Sequence, residues 1–257
     1  MKNVKRRAWK RLRAVPFALC AALCLALFLS ACGAANGPSV AQGPLDAPDP
    51  PAVPAPLVPL PAPEPDGGPF GIDVNINMGT IDDYLGRPDV AYIDMRMLFD
   101  PADFESIGGI STLTRTLPGY RIVPLPYLAT LSAMPVSGAY DGPRLFEVLW
   151  GDDGGILSLS PNYLESGIIL DELFPKDKPI FLMCGGAGYS ALTRALLIHM
   201  GWDPNLIYST GGNWYYEGDQ ALPLTIPHDG ADGGLIHATW RANYAFIDFE
   251  HLHRLAP

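Results

Sequence analysis

Residues 179–201 run from a compact apolar stretch, P-I-F-L-M-C, through a glycine-dense turn, G-G-A-G-Y-S, into a second apolar stretch that Gly201 stops. No other segment limits the possible folds as strongly. The first run, bounded by Pro179 and by glycine, reads as a buried strand, and residues 190–200 read as an apolar helix. A strand that passes directly into a helix is half of a βαβ unit, which points to an α/β domain with a mainly parallel sheet. In such sheets ligands gather at the carboxyl ends of strands, and Cys184 stands at one. Three of the next five residues are Gly185, Gly186 and Gly188, so the turn is expected to adopt positive φ and curl tightly. Its N–H groups then converge as an anion-binding nest backed by a helix N-terminus. A thiol held there is expected to have a depressed pKa and to be nucleophilic near neutral pH.

Other patterns extend the alternation of strands and helices. Residues 80–83 look like a capped short helix ending near Gly86, and 90–94 a buried strand. Residues 121–125 suggest a short strand closed by Pro126. Residues 143–150 are expected to form a helix with proline in its first turn. A second helix is expected over 161–174, with Leu164, Ile168 and Leu173 near one face. Residues 206–208 form a further strand ended by Gly211 and Gly212, and 244–249 are strand-like.

The N-terminus is a targeting segment by composition. Lys2, Lys5, Arg6, Arg7, Lys10, Arg11 and Arg13 precede an almost wholly apolar run over 14–29, then Leu29-Ser30-Ala31-Cys32. This resembles the lipobox of bacterial lipoproteins. The resemblance implies a signal peptide over 1–31, cleavage before Cys32 and a lipid on that cysteine. The alternative is an uncleaved membrane anchor; either way the folded part is expected outside the cytoplasm, tethered to a bacterial membrane. Arg6-Arg7 half-matches a twin-arginine signal, which a merely basic head explains. Residues 32–69 are dense in Pro and Ala and read as a semi-rigid linker. Residues 70–257 suffice for one domain with a substantial core.

Processing changes two inventories. Of four cysteines, Cys20 and Cys24 leave with the signal, Cys32 is acylated, and Cys184 remains as a lone thiol. That excludes a disulfide scaffold and suggests reactivity; an inert buried cysteine is the alternative. Seven of the 17 Lys+Arg precede Cys32 and all 27 Asp+Glu follow it, leaving a net charge of −17. With no basic stripe, nucleic acid is not an expected partner.

Together these residues resemble the rhodanese-like domain. A strand ending in Asp94-Met95-Arg96, a strand ending in Cys184 with a six-residue loop into a helix, and a short strand then Gly-Gly-Asn-Trp over 211–214 follow that family's pattern. The resemblance covers roughly residues 70–220. It implies a rhodanese-like α/β fold, a central mainly parallel sheet flanked by helices, here with an insertion and a C-terminal extension. It implies Cys184 as the catalytic residue, Gly185, Gly186, Ala187, Gly188, Tyr189 and Ser190 as the substrate-binding loop, and Asp94 and Arg96 in support. The implied chemistry passes sulfane sulfur through a Cys184 persulfide, from a small sulfur donor to a thiol or other nucleophilic acceptor, with no cofactor and no metal. There are departures. Tyr189 stands where such families often carry a basic residue, leaving the loop uncharged. The customary His-Ile-Pro-Gly-Ala stretch is replaced by a segment over about 100–161, and the tail has no counterpart.

Two other functions stay open: an inactive rhodanese-like binding module, or a thiol redox sensor working through a sulfenic acid. Protein-tyrosine-phosphatase chemistry is disfavoured, because the sixth position after Cys184 is Ser190 and not arginine. Arg194 is expected to point away from the loop mouth if the helix begins at Ser190. Ser190 is expected to cap that helix, and Tyr189 to donate a hydrogen bond where a cation usually sits. Asp94 and Arg96 are read as a structural ion pair, His199 as packed in its helix, and Trp214, Tyr215 and Tyr216 as packing on the Gly-Gly turn. His251 and His253 share no helix face, and the acidic turns at 152–155 and 229–234 lack an EF-hand pattern.

Overall fold

Five consecutive apolar residues, Ile180 to Cys184, are all buried, which requires cover on both faces of the strand they form. The computed structural model describes residues 57–131, 136–224 and 244–256. The expected signal peptide, the lipid site at Cys32, most of the linker and the 229–234 turn lie outside the described residues. The strands are β1 (Ala91–Asp94), β2 (Arg115–Thr116), β3 (Arg121–Ile122), β4 (Phe146–Trp150), β5 (Ile156–Pro161), β6 (Ile180–Cys184), β7 (Ile207–Gly212) and β8 (Leu222–Pro223). The α-helices are α1 (Leu125–Leu128), α2 (Ser166–Leu173) and α3 (Gly188–His199). A four-stranded sheet runs β3-β1-β6-β7, and each neighbouring pair is parallel. The described chain is therefore mixed α/β around a parallel sheet, as the strand–turn–helix pattern leads one to expect.

Period-two alternation sorts the side chains of that sheet. Ile93, Ile180, Leu182, Cys184 and Ile207 join one core with Leu170 and Leu173 of α2 and Leu196 and Leu197 of α3. Tyr92, Phe181, Met183 and Tyr208 join the other, which is closed by Ile76, Ile81, Leu117 and Tyr120. Phe181 packs edge-on against Tyr92 and Tyr208 at ring distances of 5.6 and 5.0 Å.

Several expectations need correction. Residues 143–150 do not form a helix: β4 pairs antiparallel with β5, from Phe146–Pro161 to Trp150–Ile156. Phe146 and Val148 are buried while Glu147 and Leu149 are exposed, so alternation prevails over the proline signal. In the second expected helix the buried face is Ser166, Leu170 and Leu173, while Leu164 and Ile168 are 65% and 63% exposed. The helix starts later than expected because Ser166 turns inward, its hydroxyl donating to the Leu145 carbonyl at 2.7 Å. Residues 121–125 give only the two-residue β3, since Pro124 precedes and Pro126 enters α1. The expected strand over 244–249 is one bridge, Ile122 to Tyr244, followed by a turn of 3-10 helix at Phe249–His251. Thr80 precedes a 3-10 turn at Ile81–Tyr84 without capping it; its hydroxyl donates to the Asn75 carbonyl instead. The folded unit also reaches back to Leu57, with the Val58 and Pro61 carbonyls accepting from Arg87 and Tyr208 at 2.7 Å each.

Candidate functional site

Strand β6 delivers Cys184 to the carboxyl edge of the sheet, on the face shared with α3. The turn that follows differs in its geometry from what its glycines suggest. Gly185, Gly186 and Gly188 do not have positive φ; the left-handed residue is Ala187, at φ 76. Glycine serves close approach here. A Cβ at Gly185 or Gly186 would lie 2.5 or 2.8 Å from the Trp214 ring, and one at Gly109 would strike the same ring. A β-bulge sets up this interlock. Between the Leu182–Ser209 and Met183–Gly211 pairs, Thr210 is the extra residue, and its hydroxyl donates to the Leu182 carbonyl at 3.0 Å. Gly211 then takes φ +98, and Gly212 passes so close to the Gly185 carbonyl that no side chain fits there. Trp214 N–H donates to that same carbonyl at 3.1 Å.

Helix α3 begins at Gly188, two residues earlier than expected. Ser190 therefore sits inside the helix and does not cap it; its hydroxyl donates to the Ala187 carbonyl at 2.8 Å and lies 3.2 Å from Ser209 Oγ. The Cys184 thiol donates to Ser190 Oγ at 4.0 Å, and the neighbouring Ser190 and Tyr189 N–H groups favour its thiolate. The expected depression of the thiol pKa nevertheless fails. Cys184 is 2% exposed, and burial pushes the thiol up, with the Asp94 carboxylate adding to the rise and outweighing the N–H groups.

Tyr189 also departs from expectation. Its phenol donates to Asp100 Oδ2 at 2.8 Å in a buried pair, so it is not offered to a ligand in place of a cation. Burial, with Asp100 second, raises the phenol's pKa strongly. Asp100 is itself raised by burial, while the Ala102 N–H and the Tyr189 hydroxyl pull the other way.

The end of β1, beside β6, holds Asp94 and Arg96. Arg96 Nη2 meets Asp94 Oδ2 at 2.6 Å and Nε meets Oδ1 at 2.9 Å. The guanidinium also donates to the Arg115 carbonyl at 2.8 Å and Asn213 Oδ1 at 3.3 Å. Thr116 Oγ1 donates to Asp94 Oδ2 at 3.1 Å. This ion pair joins β1, β2 and the turn after β7.

Above Cys184 lies a cavity of about 590 Å³. Cys184, Gly185, Gly186, Gly188, Tyr189 and Arg96 line it, together with Asp100, Phe104, Ile107, Ile110, Leu192, Arg194 and Trp214. Asp94, Ala187 and Ser190 are not on its surface; Cys32 lies outside the described residues. Sequence reasoning missed Arg194, Asp100 and the apolar segment around 104–113. Arg194 is among the residues lining the cavity, with its Nε directed to the carbonyl of Ile207 at the start of β7. Gly188, Ala191, Leu192 and Ala195, also on the wall, stand at i, i+3, i+4 and i+7, so one face of α3 borders the cavity. Arg194 pairs with no carboxylate among the described residues, and its one hydrogen bond there runs from Nε to the Ile207 carbonyl at 3.5 Å. Burial lowers its pKa and nearby Asp73 opposes that fall.

The histidines stand apart from the cavity. His199 is exposed on α3, not packed as expected. His251 hydrogen-bonds Asp248 and His253 hydrogen-bonds Glu165. Among the described residues no three His, Cys, Asp or Glu side chains gather as a metal site. In the 152–155 turn Asp153 accepts the Gly155 N–H at 2.9 Å. Trp214 and Tyr215 line the cavity, whereas Tyr216 is buried with its hydroxyl donating to Asp82 at 2.6 Å, its pKa pushed up to about 12 by burial and that carboxylate.

No family model, curated protein or solved structure matches this chain. The class that the coordinates define is the coarse one, an α/β domain built on a parallel sheet with a cysteine at a strand end.

Proposed function

We propose that the chain is a rhodanese-like sulfurtransferase that carries sulfane sulfur on Cys184. One observation carries the reading: the Cys184 sulfur stands at the carboxyl end of a central parallel strand, beside the first turn of α3, and opens on a cavity. In the first step the Cys184 thiolate attacks the outer sulfur of a donor such as thiosulfate. The donor's S–S bond breaks, and its electron pair leaves on sulfite. The protein keeps the outer sulfur as a persulfide anion, which the Tyr189 and Ser190 N–H groups stabilise as an oxyanion hole stabilises oxygen. An acceptor thiolate then takes that sulfur as its own persulfide and returns Cys184 as thiolate. Because burial raises the free thiol, loading is expected to accelerate as pH rises above neutrality. The basic head, apolar run and Cys32 support a lipid-tethered position outside the cytoplasm.

Mass spectrometry of the intact chain after incubation with thiosulfate or polysulfide tests the reading. A gain of one sulfur, absent in Cys184→Ser, is expected; no gain with either donor refutes transfer from them. A second reading, an inactive recognition module of the same fold, draws on the near-complete burial of Cys184 and its upward-shifted thiol.

A further inference from the structure

The cavity above Cys184 is far larger than a compact inorganic anion needs. At about 590 Å³ it falls among the pockets of roughly 300–1,000 Å³ that enclose drug-sized organic molecules. Its apolar lining is substantial. Phe104 stacks edge-on against both Tyr189 and Trp214, at ring distances of 6.0 and 5.5 Å. Ile107 and Ile110 remain 53% and 46% exposed although both line the same space. Large apolar side chains left half in water at a concave site gain most when a ligand covers them.

The charges on that wall are unequal. Arg96 is neutralised by Asp94, Asp100 is buried and held by Tyr189, and the exposed Asp153 accepts the Gly155 N–H. Arg194 is the cation on this wall that forms no ion pair among the described residues, with Asp73 acting on it only at longer range. Only its Nε is engaged there, which leaves the outer guanidinium nitrogens to an anion.

We propose that this cavity binds an apolar-bodied organic anion, its aryl or branched alkyl body against Phe104, Ile107, Ile110 and Trp214 and its charge met by Arg194. That this anion is the sulfur donor, an arenethiosulfonate or organic persulfide, rests on the sulfur-transfer reading above; its affinity for the cavity does not. With a thiosulfonate the Cys184 thiolate takes the outer sulfur, the S–S bond breaks and the electron pair leaves on the sulfinate.

Isothermal titration of the full Cys184→Ser chain with naphthalene-2-sulfonate, inorganic sulfate and uncharged naphthalene-2-sulfonamide tests the ligand class without transfer. The sulfonate is expected to bind at least ~10-fold tighter than sulfate or the sulfonamide, an advantage of about 1.4 kcal/mol or more. Arg194→Gln and, separately, the surface change Ile107→Asp are each expected to weaken it ~10-fold, with circular dichroism confirming the fold. Equal affinity for sulfonate and sulfate, no sulfonate binding, or indifference to both variants overturns the proposal. The wild-type chain is then loaded with naphthalene-2-thiosulfonate and with thiosulfate. Sulfonate binding without sulfur gain from either donor sinks sulfur transfer and leaves the ligand class standing. Sulfur gain without sulfonate binding does the reverse.

Discussion

The carboxyl ends of β1 and β6 are neighbours in one sheet, with Asp94 paired to Met183, yet they handle polarity in opposite ways. At the end of β1 every strong charge is met: Asp94 accepts from Arg96 and Thr116, and Arg96 spends its remaining donors on Arg115 and Asn213. At the end of β6 a thiol sits in a buried position, 4.0 Å from the Ser190 hydroxyl, and desolvation opposes its ionisation. The first end is satisfied within the protein and serves assembly, although Arg96 also lines the cavity. The second is incompletely satisfied and borders a cavity in which Arg194 forms no ion pair among the described residues. Adjacent strand ends can thus differ in role because satisfied ion pairs lock geometry whereas under-served groups keep interaction energy for a ligand.

The sharpest way to break this contrast is Asp94→Ala. It strands the Arg96 guanidinium in a buried site, and a loss of about 3–5 kcal/mol is expected in urea unfolding; a loss under about 1 kcal/mol removes the case for a structural latch. Gly185→Ala comes next. Its Cβ would meet the Trp214 ring at 2.5 Å, so a cost of about 1–3 kcal/mol is expected, with a shift of tryptophan fluorescence as the ring moves. An unchanged spectrum speaks against the interlock. Tyr189→Phe deletes one buried hydrogen bond to Asp100, worth about 1–2 kcal/mol, and denaturant midpoints read it directly.

The smallest effect is pH-linked. The folded-state pKa of Cys184 is raised, so its contribution to stability is complete below the unfolded value of about 8.5 and is lost as pH rises through the folded value. Between those values the wild type is expected to lose up to about 1.4 kcal/mol per pH unit relative to Cys184→Ser. Alkylation kinetics give the same answer independently: a midpoint below that of free cysteine contradicts the burial described here.

Much of the β6–α3 unit was legible, because a fully apolar strand and an apolar helix bounded by glycine leave few alternatives. The Asp94–Arg96 pair was singled out by the family resemblance and read as structural, in keeping with its hydrogen bonds. Local signals failed where tertiary contacts decide. Pro143 suggested a helix, but Phe146 and Val148 needed one buried face against α2 and the sheet. The glycines after Cys184 suggested backbone curl, whereas their smallness answers to Trp214, 28 residues or more along the chain. Burial of the thiol depends on packing from several segments and has no local signature. Arg194 was read as pointing away from the loop mouth; its place among the lining residues depends on how far the cavity runs along α3, which spacing does not show.

The indole of Trp214, laid across Gly185 and Gly186, restricts how this site can be redesigned. Arginine or lysine at either position, the direct route to a more cationic loop, has no room beneath the ring. Any reprogramming of charge preference is thereby steered to other positions, such as residue 194 and the segment near 107–110, while positions 185 and 186 tolerate only hydrogen in place of a side chain.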